Sequence, residues 1–197
     1  MKRVYALIAA PVLAATLAAC GSADGKDSGG AMGGHSSAPA AAPAGHNAQD
    51  VMFAQMMIPH HRQAVDMAEL AATRASQPKV KALAKAIQGA QDPEIQKMTG
   101  WLHNWGAEMP AGGGMAMGHG GGGGMMSDAE MNRLEKLSGP AFDAAFLKMM
   151  IKHHQGAVAM ATTEQRGGAA ADAKAMAGSI IGSQSAEIAQ MRRLLNR

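Results

Sequence analysis

Four stretches of the chain carry apolar residues at helical spacing, so that each has one apolar face and one polar face. The pattern predicts a helix from Asn47, a candidate N-cap with Asp50 in the first turn, to about Arg74. Ser76 and Pro78 mark a turn, and a second helix is expected from about Lys79 to Trp105. Ser127 and Glu130 form a capping box that opens a short helix, ending near Leu137 before Ser138-Gly139-Pro140. A third long helix is predicted from about Ala141 to Gln165, then Gly167-Gly168, and a fourth from about Asp172 to Asn196.

The pattern repeats. Shifting the chain by 93 residues aligns 53–104 with 146–197 without a gap, at 20 identities in 52 positions. Phe53, Met56, Met57, Ile58, His60, His61, Ala64, Val65, Met67 and Ala68 recur as Phe146, Met149, Met150, Ile151, His153, His154, Ala157, Val158, Met160 and Ala161. Gln91, Glu94, Ile95, Met98 and Leu102 recur as Gln184, Glu187, Ile188, Met191 and Leu195. Each half is therefore one helical hairpin. A lone hairpin cannot bury its apolar face, so the expected fold is all-α, a four-helix bundle built from two repeated hairpins.

Composition narrows the class. Hydrophobic residues make up 47% of the chain but aromatics only 3%, and 18 Met stand against three Phe, two Trp and one Tyr, which disfavours a β-sandwich. The net charge of +3 is too small and too scattered to predict nucleic-acid binding. The single Cys excludes a disulfide framework and a thiolate cluster.

That Cys has a place of its own. Lys2 and Arg3, an apolar run from Val4 to Leu17 and small residues before Cys20 have the layout of a signal peptide. The segment resembles the bacterial lipobox. We therefore expect a lipoprotein signal at 1–19, lipidation at Cys20, a tether at 20–46 and the bundle domain at 47–197. The expected location is extracytoplasmic, anchored by lipid to the cell membrane.

The chemistry sits on the apolar faces. His60 falls in the middle of the first helix's apolar stripe, between Met56 and Met67, with His61 at its edge above Met57. Gln91 and Glu94 fall inside the stripe of the second helix, where a carboxylate is costly unless paired or metal-bound. With the turn near residue 75.5, antiparallel partners place His60 opposite Gln91, Met57 opposite Glu94 and Phe53 opposite Met98, to within a turn. The second half matches, with His153 opposite Gln184 and Met150 opposite Glu187.

The candidate metal ligands are Met56, Met57, His60, His61, Met67, Glu94 and Met98, with Met149, Met150, His153, His154, Met160, Glu187 and Met191 in the second half. Thioether and imidazole together suit Cu(I), with Cu(II) or Ag(I) as alternatives; zinc structural sites prefer thiolate, and no Glu-x-x-His motif for a di-iron centre occurs. Glu94 and Glu187 are read as fixing a His tautomer through a hydrogen bond, because carboxylate is a hard ligand. Only neutral His ligates, so binding is expected to weaken below about pH 6.5. Pro59, in the helix interior, has Lys152 as its counterpart, and a kink is expected at the first pair only. Residues 106–126 read as a Gly/Met/His-rich linker, in which Met115, Met117 and His119 form a looser second candidate site.

These residues carry a family resemblance. Met56-Met57-Ile58-Pro59-His60-His61-x-x-Ala64, with Gln91-x-x-Glu94-Ile95-x-x-Met98-x-x-Trp101-Leu102, resembles the first half of the bacterial family called domain of unknown function 305. Gly139-x-x-Phe142-Asp143-x-x-Phe146-Leu147-x-Met149-Met150-Ile151-x-His153-His154 resembles its second half, though Leu194 stands where the first half has Trp101. The resemblance implies a ferritin-like bundle and, through the CopM-type periplasmic members, copper binding and tolerance. The sequence-based expectation is thus a copper-sequestering protein that is not an enzyme, with a metal ion, a lipid anchor and a copper donor or acceptor protein as partners. The alternatives are a haem- or metal-dependent redox protein in the same bundle and an envelope interaction module whose His and Met are only core.

Overall fold

The computed structural model describes residues 45–110 and 122–196. The expected signal, Cys20, most of the tether, and Met115, Met117 and His119 of the linker lie outside the described residues. Among the described residues there is no β-strand, and no helix is long and apolar enough to cross a membrane.

Helix α1 is Ala48–Arg74, α2 is Pro78–Asn104, α3 is Asp128–Glu135, α4 is Gly139–Gly167 and α5 is Ala171–Leu195. A single 3-10 turn, Gly122–Gly124, precedes α3. Local signals set the ends. Asn47 caps α1 in a capping box with Asp50, and Ser127 caps α3 in a box with Glu130. Proline sits in the first turn of α2 and of α4, where its missing N–H costs nothing. Helix α1 continues through Pro59 without ending there.

Helices α1 and α2 pack as one hairpin and α4 and α5 as the other, and the hairpins meet chiefly through α1 against α4. The ends are tied reciprocally. Asp50 at the start of α1 accepts the backbone N–H groups of Ala169 and Ala170 in the turn of the second hairpin, at 3.1 and 3.0 Å. Asp143 at the start of α4 accepts those of Ser76 and Gln77 in the turn of the first, at 3.1 and 3.0 Å. The two aspartates are 93 residues apart, so the repeat extends upstream of Phe53.

The apolar interior falls into two clusters. One gathers Ala64, Met67, Ile87, Phe142, Phe146, Met150 and Met191; the other gathers Phe53, Met57, Met98, Ala157, Ala161 and Ile180. Along every long helix the two clusters are separated by polar residues: His60 and His61 on α1, Gln91 and Glu94 on α2, His153 and His154 on α4, Gln184 and Glu187 on α5. A polar layer therefore crosses the bundle at mid-height.

Candidate metal centre

The four histidines are all but sealed from solvent, at 0 or 1% exposure. His60 and His153, one from each hairpin, face each other with ring centroids 3.7 Å apart, and His61 and His154 flank them at 6.5 and 6.4 Å. His61 Nε2–H donates to Glu94 Oε2 at 2.8 Å, and His154 Nε2–H to Glu187 Oε2 at 2.6 Å. His60 Nε2–H donates to the Gly123 carbonyl at 2.8 Å. Carbonyl and carboxylate oxygens only accept, so these three rings carry their proton on Nε2 and their lone pair on Nδ1. All three Nδ1 atoms are buried without a partner, and so are both ring nitrogens of His153.

An unpartnered buried nitrogen is expensive unless something completes it. Burial, with His61 alongside, pushes His60 down to about pKa 3. Burial and the neighbouring His60 and His154 hold His153 well below the ordinary histidine value. Both rings are thus neutral far below pH 6.5, which corrects the expectation that their protonation begins to compete with metal there. Neutral rings with bare lone pairs fit a soft or borderline cation.

The thioethers border this layer unequally. Met57 and Met98 lie buried on one side of it, Met150 and Met191 buried on the other. Met67 sits a turn or more away inside an apolar cluster, and Met160 is half-buried against the other cluster. Met149 is half-buried, and Met56, expected on the apolar face beside His60, is 49% exposed. Among the described residues no three His, Asp or Glu side chains already converge as around a bound ion. A haem held between His60 and His153 does not fit, because rings in contact leave no room for a porphyrin.

The helical wheel placed His61 only at the edge of its stripe, yet it is fully buried, because α1 is covered by α2 on one side and α4 on another. Glu94 meets His61 rather than lying level with Met57, a shift of one turn. Gln91 and Gln184 join the layer, each with an unpartnered Oε1. Sequence reading overlooked three other positions. Gln63 and Gly156 occupy matching places in the repeat and both touch the end of the linker; the signal available was a Gly replacing Gln on an otherwise well-matched helix. Glu164, fully buried beside Asp50, stands where the first half has Ala71.

A family profile described as Domain of unknown function (DUF305) matches residues 50–195. The chain belongs to that family. It is similar to a DUF305 fragment from Deinococcus radiodurans, at 35% identity over 78% of this chain and 99% of that one, with a TM-score of 0.70. A DUF305 protein from Streptomyces coelicolor is 34% identical over 75% of this chain and 91% of its own, with a TM-score of 0.68. CopM in its Cu(II)-bound form is 38% identical over 75% of this chain and 95% of its own, with a TM-score of 0.66; CopM is also solved in Cu(I)- and Ag-bound forms. No curated protein matches the chain.

Proposed function

We propose that this protein is a copper-binding protein of the cell envelope, taking up Cu(I), and with it Ag(I) or Cu(II), to sequester it or hand it to a partner protein. The observation that carries this reading is the sealed row of four histidines with unpartnered ring nitrogens. The residues that would hold the ion are His60, His61, His153 and His154, with the thioethers of Met57, Met98, Met150 and Met191 at the borders of the layer. Glu94 and Glu187 position the outer rings through their hydrogen bonds and leave ligation to softer atoms. CopM, solved with both copper states and with silver, supports the choice of metal. The Cys20 lipobox and the preceding signal support the envelope location. The protein carries out no reaction in this reading; it binds and releases.

The test is metal competition on protein purified without a His tag. Cu(I) or Ag(I) should outcompete Zn²⁺ by orders of magnitude, and the copper adduct should be colourless. Changing His60 and His61 together to Ala should remove the tight site while circular dichroism shows the helices intact. Zinc binding as tight as Cu(I), or unchanged Cu(I) affinity in the double variant, overturns the reading.

A further inference from the structure

We propose that residues 123–126 form a latch over the histidine row, and that an ion reaches the row only when this latch lifts. The inference rests on the reading above, that the row takes up metal. The row is sealed, at 0 or 1% exposure for all four rings, so entry requires something to move. Helices α1 and α4 are held by helical hydrogen-bond ladders, interrupted in α1 only at Pro59, and by both apolar clusters. The 123–126 segment has no such ladder and reaches an apolar cluster only through Met126, yet it touches His60 directly.

Its attachment is specific. The Gly123 carbonyl accepts from His60 Nε2–H at 2.8 Å. Three residues on, Gln63 clamps both backbone groups of Met126: the Met126 N–H donates to Gln63 Oε1 at 2.7 Å, and Gln63 Nε2 donates to the Met126 carbonyl at 2.8 Å. The Met126 side chain is buried in the cluster around Phe142 and Phe146. Two glycines let the strand lie flat on α4. A Cβ on Gly156 would overlap the Gly123 carbonyl, and Gly124 has φ +81° with space for no Cβ against the Lys152 carbonyl.

The repeat shows that this seat is one-sided. Gln63, the clamp on α1, corresponds to Gly156, the gap on α4. One hairpin supplies the grip and the other the clearance, so the duplicated framework seats a single strand. While docked, that strand holds His60 in its Nε2–H tautomer and His153 has no such partner. Three hydrogen bonds and one side chain hold the segment, so it opens locally far more often than the bundle unfolds.

Gly156→Ala displaces the strand by sterics alone, since the three nearest atoms to the new Cβ are all latch backbone. Gln63→Ala removes the clamp. Gly182→Ala, with open space around it, is the control for adding a methyl to a helix. Hydrogen exchange of the Met126 amide reads the latch without metal, and stopped-flow mixing with Ag(I) reads entry. Losing two hydrogen bonds, each about fivefold in the opening equilibrium, should speed Met126 exchange and Ag(I) uptake by roughly 20-fold in Gln63→Ala. Gly156→Ala should accelerate both at least as much, and Gly182→Ala neither, all three keeping wild-type helicity. Faster exchange with unchanged Ag(I) uptake overturns the gate. Unchanged exchange in both latch variants overturns the latch itself. If no variant and no wild-type protein binds Ag(I), the metal reading fails and the gate with it, and the exchange data still distinguish this from an undocked strand.

Discussion

The two hairpins carry the same polar layer and the same end tie, and they part company at single positions. His61–Glu94 on one side is matched by His154–Glu187 on the other, and Asp143 on the first turn by Asp50 on the second. Against this, Gln63 faces Gly156 across the repeat, Ala71 faces Glu164, and Gln49 faces Phe142. The first difference seats the 123–126 strand. The second puts two carboxylates, Asp50 and Glu164, side by side at one end of the bundle only. The third gives one cluster a stacked Phe142–Phe146 pair at 5.8 Å within its core, where the other cluster stacks Trp101 on Trp105 at its edge. Duplication builds the paired features together; asymmetry needs only a side chain where a third element docks or a neighbour closes in.

The largest break in the comparison should come from the aromatic pair. Phe142→Ala should cost about 3–5 kcal/mol in urea unfolding, because it empties a fully buried ring site. Gln49→Ala at the matching place should cost well under 1 kcal/mol, roughly the scale of a surface change. Equal losses would mean that the two clusters carry the same load.

The end ties come next. Asp143→Ala strips the partner from two backbone N–H groups and the Ser76 hydroxyl, and should cost about 3 kcal/mol. Asp50→Ala should cost roughly half that, since it also relieves the carboxylate packed against it. A reversed order in chemical denaturation would show that Glu164 contributes no strain.

On the metal side, Glu94→Gln and Glu187→Gln should each lower Cu(I) affinity by roughly 10–100-fold without abolishing it. Binding lost completely in either variant would make that carboxylate a direct ligand and bring a harder ion forward. A gap between the two larger than this range would place the ion at one end of the row.

The carboxylate pair predicts a pH dependence. Burial, then the hydrogen bond to Asp50 and its charge, raise Glu164 from 4.5 to about 7. In that window the folded chain keeps a proton that the unfolded chain has lost, so stability falls as pH rises through it. Burial by itself would raise Asp50, but hydrogen bonds from Glu164 and from the N–H groups of Asn47, Ala170 and Ala169 outweigh it and lower its pKa. Its stabilising share is present above its ordinary value of 3.8 and is lost only on acidification below that. Glu164→Gln keeps a donor towards Asp50 and removes the titration, so its urea midpoint should change less between pH 5 and pH 8 than the wild type's. Parallel curves for the two proteins would rule out the shared proton.

The smallest effect is a test of sameness. Gly89 and Gly182 match in the repeat, and both have open space where a Cβ would stand. Ala at either should stabilise by roughly 0.5–1 kcal/mol, and equally. Unequal gains would reveal a difference between α2 and α5 that the surroundings of these glycines do not account for.

What the sequence determined by itself is what a few neighbouring residues encode. Apolar spacing, the Asn47 and Ser127 capping boxes and the proline and glycine breaks place the helices to within two or three residues at each end, because helix start and stop signals are local. The 93-residue repeat adds the hairpins, the doubled His pairs and the carboxylate level with them. Register is the limit of that reasoning: Glu94 reaches His61, a turn from the Met57 level, since helix rise alone does not fix how two helices slide. Only the tertiary structure decided how the hairpins face each other. The contact of His60 with His153, the seat of the 123–126 segment between Gln63 and Gly156, and the buried meeting of Asp50 with Glu164 join residues 33 to 114 positions apart, with no helical period connecting them. Burial there is set by what the other hairpin brings, so the same His-His pattern that reads as an edge on one helix becomes the sealed centre of the bundle.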